Sequence, residues 1–197
     1  MARGAATEAA FDEPAMARVQ ERIAATVARR RVPLGFLFGA VVLGLAQPSG
    51  RSIAAGMSVA AAGESLRVWA AGHLQKGREV TSSGPYRWTG HPLYVGSSIM
   101  GAGLAIACGS VAVAVLIAVY LAMTMTAAIR TEESFLRRNF GERYDSYRRG
   151  SSSPEPARRF TLRQAIVNRE YRAILGLLAA TMLLLAKATI WHALDRR

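Results

Sequence analysis

Acidic residues, cysteines and aromatics are all scarce in this chain. Its 197 residues hold 13 Asp and Glu against 25 Lys and Arg, with one cysteine, three histidines and 8% aromatic side chains. A single cysteine, Cys108, excludes an intramolecular disulfide framework and a multi-cysteine metal site, and its place in an apolar run reads as a small packing residue. His73, His91 and His192 lie too far apart to suggest ligand spacing, so no metal is expected. The first 31 residues are Ala-rich with early acidic positions and no apolar core, which argues against a secretory signal there. No internal repeat is evident.

Apolar residues, by contrast, make up 51% of a chain whose net charge is +12. The two sit together because they are segregated. Basic residues gather in 1–31, 67–91 and 130–172, and the segments between them are nearly free of charge. That is the pattern of an all-α, polytopic membrane protein. A basic groove for nucleic acid does not require Arg-rich stretches to alternate with apolar runs, so no nucleic-acid partner is expected. Five apolar segments, 32–48, 52–72, 93–108, 111–129 and 173–191, predict about five transmembrane helices in a membrane domain over 32–197. The first segment is short against the roughly 20 residues of a straight span. Ahead of it, residues 1–31 form a basic arm. There Met16, Val19, Ile23 and Val27 share a helical face, which suits a helix lying on the membrane as well as a solvated arm.

Two small-residue features stand out, Gly35 with Gly39, and Gly96, Gly101 and Gly103 on the third segment; the latter suit close helix packing or room for a ligand. Gly35 and Gly39 leave oligomeric state open. Glu64 and Arg67, three apart in the second segment, lie on one helix face and read either as an ion pair or as the lining of a polar cavity. With five spans, 21 of the 25 Lys and Arg fall on one side. The positive-inside rule makes that side cytoplasmic, together with the N-terminus and both polar connections, 73–92 and 130–149. The fourth segment is expected to continue as helix to about Arg138 and to break at Gly141. Ser151 to Pro156 reads as a flexible linker.

Residues 80–96 organise the rest. Gly84-Pro85 dictates a turn, and His91-Pro92 makes a second break where the next apolar run begins, since proline fits the first turn of a helix. Tyr86, Arg87, Trp88, His91 and Tyr94 are thereby placed at a membrane boundary, as an ordinary interfacial turn or as a site. The stretch from Arg67 to Lys76, followed by Thr81-Ser-Ser-Gly-Pro-Tyr86 and His91-Pro-Leu-Tyr-Val-Gly96, resembles a block of isoprenylcysteine carboxyl methyltransferases and related phospholipid-methyltransferase-like membrane enzymes. Glu132-Glu133, Phe140-Gly141-Glu142 and Tyr144-Asp-Ser-Tyr147 resemble their second block. The resemblance covers about residues 50–150.

That resemblance implies an S-adenosylmethionine pocket on the cytosolic side, formed by Arg78, Glu79, Val80, Thr81, Tyr86, His91, Pro92, Leu93, Tyr94 and Glu132. It implies methyl transfer to a lipophilic or small acceptor, a carboxylate, thiol or amine, in the lipid bilayer. Two departures bear on the acceptor. Thr89-Gly90 stands where the family usually has Arg before His-Pro, and Ala128 falls at a basic position near the Glu-rich helix end. Arg87 and Arg130 are the cations nearest those places. With Glu64 they are the candidates for a catalytic role; Glu64, Glu79 or His73 would act as base where a thiol or amine acceptor must lose a proton. Two other readings stay open: an NADPH-dependent membrane reductase of the sterol reductase type, and a non-catalytic membrane protein.

Overall fold

A computed structural model describes residues 35–151 and 159–195. The basic arm of 1–31 and most of the proposed linker lie outside the described residues. The chain divides at Val41 into two units, Met1–Val41 and Val42–Arg197, and all contacts described below fall in the second. The described residues are helical, with no strand among them: α1 (Gly35–Leu45), α2 (Gly50–His73), α3 (Pro92–Cys108), α4 (Val111–Phe140), α5 (Glu142–Arg148), α6 (Leu162–Val167) and α7 (Tyr171–Asp195). A 3-10 turn, Gly84–Arg87, interrupts the connection between α2 and α3.

Of the five expected spans, α4 and α7 are long and apolar enough to cross a membrane. Most of their apolar surface faces outward, including Val115, Val119, Leu175 and Leu178. The other apolar helices are shorter, with α1 and α3 below the length of a straight span, and α2 carries Glu64 and Arg67 within its length. Among the described residues the structure therefore establishes an all-helical architecture with two candidate membrane spans.

Small residues bring α2 and α3 together. Gly56, Ala60 and Gly63 of α2 face Gly96, Met100, Gly103 and Ala107 of the antiparallel α3, alternating steps of four and three that keep one seam on each helix. A Cβ at Gly63 would stand 2.5 Å from the Met100 nitrogen and 2.6 Å from the Gly96 oxygen. The contact is thus backbone against backbone. Gly101 points the other way, where an added Cβ would meet Leu121 and Ile117 of α4. The glycines of α3 serve close packing on two sides.

Caps fix the ends of these helices. Ser49 and Ser52 form a reciprocal capping box at the start of α2, at 2.9 and 3.1 Å, and Ser52 Oγ also donates to the Ala107 oxygen at 3.1 Å. Gly109, at φ 61°, ends α3 in the left-handed region, and Lys187 Nζ of α7 donates to the Leu43 and Gly44 oxygens at 2.6 and 2.8 Å. At the opposite end of α2, Gln164 donates to the Leu74 oxygen at 2.8 Å. Asn168 donates to the oxygens of Ala71 at 2.8 Å and Leu74 at 2.9 Å. The short helix α6 thereby satisfies carbonyls that a helix end leaves without partners. It falls within 130–172, which hydropathy alone marks only as polar.

Candidate functional site

The turn before α3 is held by what surrounds it. Gly84 has φ 58°, and an added Cβ would lie 2.7 Å from the His73 ring. His73 is itself buried, with Nδ1 3.0 Å from the Trp69 oxygen, so it serves as packing for the turn. Val80 and Thr81 are buried in the approach to the turn, and Thr81 Oγ1 accepts a hydrogen bond from the Gln75 N–H at 3.3 Å. Glu79 is half-buried, while Arg78 and Arg87 are exposed. Pro92 is buried at the first position of α3, and Leu93 and Tyr94 are half-buried beside it.

Both sequence blocks meet at this turn. His91, the N-cap residue of α3, sets Nε2 3.2 Å from Glu133 Oε1, and the same oxygen accepts from Arg148 of α5 at 2.5 Å. A carboxylate only accepts, so Nε2 carries the proton. His91 Nδ1 is then left buried without a hydrogen-bond partner among the described residues. Tyr147 donates to the Tyr86 oxygen at 2.6 Å. Burial first, then Tyr144, push the Tyr147 hydroxyl up to about 12 against the opposing charge of Arg148, so it stays a donor. Glu132 interacts with the hydroxyls of both Tyr86 and Tyr94. Burial, followed by the charge of Glu132, holds the Tyr86 hydroxyl far above the usual tyrosine range. Consecutive glutamates on a helix point about 100° apart, which is how Glu132 addresses the tyrosines while Glu133 anchors His91. Sequence reasoning assigned the site to Glu132 and overlooked Glu133, although its adjacency was visible.

A second polar cluster joins α2 and α3 to Glu170, the residue before α7. Arg67 Nε is 3.3 Å from Glu64 Oε2, its guanidinium is 2.6 Å from Glu170 Oε1, and it also donates to Ser97 Oγ. Of the two readings of Glu64 and Arg67, the pair is present, extended by a third member. Glu170 was missed. Its sequence signal was one acid among the basic residues just before the last apolar run. Burial first, then the charges of Glu132, and to a smaller extent Tyr147 and Glu170, favour the protonated Tyr86 hydroxyl. Arg130 is exposed on α4. Among the described residues, no three His, Cys, Asp or Glu side chains form a metal-ligating group.

Comparison with known proteins bears on the two blocks together. The sequence model of the family described as phospholipid methyltransferase matches residues 40–143, more than half of the chain. The chain belongs to the phospholipid methyltransferase family. Methyl transfer at a membrane is the activity that membership in this family implies. The match runs from α1 through the start of α5, so Gly84–Tyr86, His91–Tyr94 and Glu132–Glu133 lie within it and α6 and α7 beyond it. Curated relatives include the nickel-cobalt-cadmium resistance protein NccN of Alcaligenes xylosoxydans xylosoxydans, 36% identical over 85 residues, which are 42% of this chain and 39% of the relative. The cobalt-zinc-cadmium resistance protein CzcN of Cupriavidus metallidurans is 37% identical over 89 residues, 44% of this chain and 40% of the relative. The aligned part of this chain thus spans about two fifths of each relative's length. No solved structure matches.

Proposed function

We propose that the chain is a multi-pass membrane enzyme that transfers a methyl group from S-adenosylmethionine to a lipophilic or small acceptor at the cytosolic face. The observation that carries this reading is the meeting of His91, Tyr86 and Tyr94 with Glu132 and Glu133 at one turn. The residues present fit the cofactor. His91 Nδ1, buried and without a partner, is an acceptor in the neutral ring and a donor in the imidazolium, suited to the cofactor's amino or carboxylate group. Glu132 offers a carboxylate to the amino group or ribose, and the rings of Tyr86 and Tyr94 offer π faces to the adenine or the sulfonium. The chemistry supplied by S-adenosylmethionine when bound is an electrophilic methyl on a positive sulfur.

Little else is asked of the side chains. Methyl displacement is accelerated mainly by orienting donor and acceptor and excluding water, an effect of about 7–11 kcal/mol. Tyr86 is buried, and burial followed by the charge of Glu132 keeps its hydroxyl protonated, so it can orient a group without ionising. Arg87 and Arg130 are exposed, which leaves Glu64 as the buried member of the catalytic candidates. The metal resistance in the relatives' names is compatible with an enzyme that alters a membrane component or a small thiol. Reconstituted protein given methyl-labelled S-adenosylmethionine and a membrane extract should place label in an organic-soluble product, and Glu132→Ala should lower that incorporation at least tenfold. Incorporation unchanged by the substitution would sink the assigned pocket.

A further inference from the structure

An open groove of about 520 Å³ runs between α2 and α7, within the roughly 300–1,000 Å³ typical of small-ligand sites. Its walls are apolar. Ala61, Val68 and Trp69 of α2 face Ile174 and Leu177 of α7, and Phe160 closes the end nearer the polar connections. Trp69 stacks edge-on against Trp88, with ring centroids 5.4 Å apart, so the aromatic end of the groove is braced from behind.

Among the described residues one charged side chain lines this groove. Glu64 is 7% exposed, and its Oε1 takes no hydrogen bond. Its other oxygen is paired with Arg67, but that guanidinium is shared with Glu170 and Ser97. Two carboxylates to one guanidinium leave the cluster short of positive charge, and a buried carboxylate without a full set of donors is costly. An ammonium group would supply both the charge and the donors. Trp69 and Phe160 in the same groove add π faces, which attract cations. Among the described residues no Lys or Arg lines the groove, so a phosphate head would meet Glu64 with no counter-charge from them.

We propose that this groove binds the methyl acceptor and that the acceptor is a lipophilic amine without a phosphate group: Glu64 receives its ammonium and takes one N–H proton, and the neutral nitrogen then bonds the methyl as the cofactor's sulfonium–methyl bond breaks, the electron pair staying on sulfur as a thioether. The inference rests on the methyltransferase reading and deepens it. Contacts join the groove to the turn assigned to the cofactor: Trp69 meets Trp88, two residues beyond Tyr86, and Arg67 donates to Ser97 of α3, the helix that begins at Pro92. Glu64 is a specificity-determining residue in this scheme: it selects the head group, while the apolar walls take the chain.

Trp69 provides the readout. In a Trp88→Phe, Trp191→Phe background it is the only tryptophan, and its fluorescence in detergent-purified protein is titrated with bromododecylamine, bromododecanol and bromododecanoate as quenchers of equal chain length. The amine should half-saturate quenching at a concentration at least tenfold below that of the other two. Glu64→Gln should erase that preference with alcohol binding unchanged. Ala61→Phe, at an exposed position on the groove wall, should weaken all three by a similar factor. If Glu64→Gln fails to fold, the amine preference together with the Ala61→Phe effect decides the matter. Equal quenching by the three probes, a preference for the carboxylate, an amine preference that survives Glu64→Gln, or indifference to Ala61→Phe would each overturn the proposal. S-adenosylmethionine titrated calorimetrically into the unaltered protein separates the two levels: amine selectivity without cofactor binding defeats the methyltransferase reading and leaves the groove standing.

Discussion

Gly90 shows how a departure in sequence becomes a question of space. A Cβ there would come no nearer than 4.0 Å to Tyr147, and its φ lies outside the left-handed region, so a side chain fits without strain. Gly90→Arg is therefore expected to leave the midpoint of thermal unfolding within a few degrees of the parent. If the missing cation contacts an anionic group of the cofactor, the same change should tighten S-adenosylmethionine binding about threefold to tenfold, measured by calorimetry. The hydroxyl of Tyr147 supplies a second test. Its folded value of about 12 stands above the unfolded value of 10.0. Its contribution is therefore fully present below pH 10 and lost as pH rises through about 12. Tyr147→Phe should be less stable than the parent at neutral pH and should lose less stability across that alkaline window, followed by thermal unfolding with an ultraviolet titration of tyrosinate. The motif residues themselves were legible because turns and helix starts leave Gly, Pro and His signatures. Glu133 was not, since adjacent identical residues give no clue to which one faces the site.

At the scale of elements, the seam between α2 and α3 makes the sharpest demand. Gly63→Ala puts its methyl against backbone that cannot rotate away, at an expected cost of about 1–3 kcal/mol. Gly176→Ala in α7, where an added Cβ meets nothing within 4 Å, should be neutral or stabilising by up to about 1 kcal/mol. Denaturant titration in the same detergent compares the two. Asn168→Ala removes donors to both Ala71 and Leu74 and should cost about 1–3 kcal/mol by the same assay. The helices themselves were close to the hydropathy reading: the second apolar segment of 52–72 is α2 over Gly50–His73, and the break at Gly141 ends α4. The short helix α6 escaped because its six residues act through two side-chain amides on a distant helix end, a relation without periodicity along the sequence. Gly56 and Gly63 escaped for a related reason. Small residues inside an apolar run register as hydropathy until a partner helix is in place.

For the whole molecule, the charge pattern and the two blocks carried most of the account. Hydropathy separated apolar from basic segments, and their alternation was enough to expect an all-helical membrane protein. It did not reveal that Arg67 of the second segment and Glu170, about a hundred positions later, would meet, because a long-range ion pair leaves no local trace. That pair ties α2 to Glu170, the residue before α7, and the same guanidinium donates to Ser97 of α3. In the proposed function, the two sequence blocks form one S-adenosylmethionine pocket. Calorimetric titration of the detergent-purified protein with S-adenosylmethionine, and separately with NADPH, tests it most directly, with Glu132→Ala and His91→Ala measured alongside. The expected result is saturable binding of S-adenosylmethionine, weakened at least tenfold by either substitution in protein of unchanged helicity, and no binding of NADPH. Binding of NADPH alone, or S-adenosylmethionine binding indifferent to both substitutions, would contradict it.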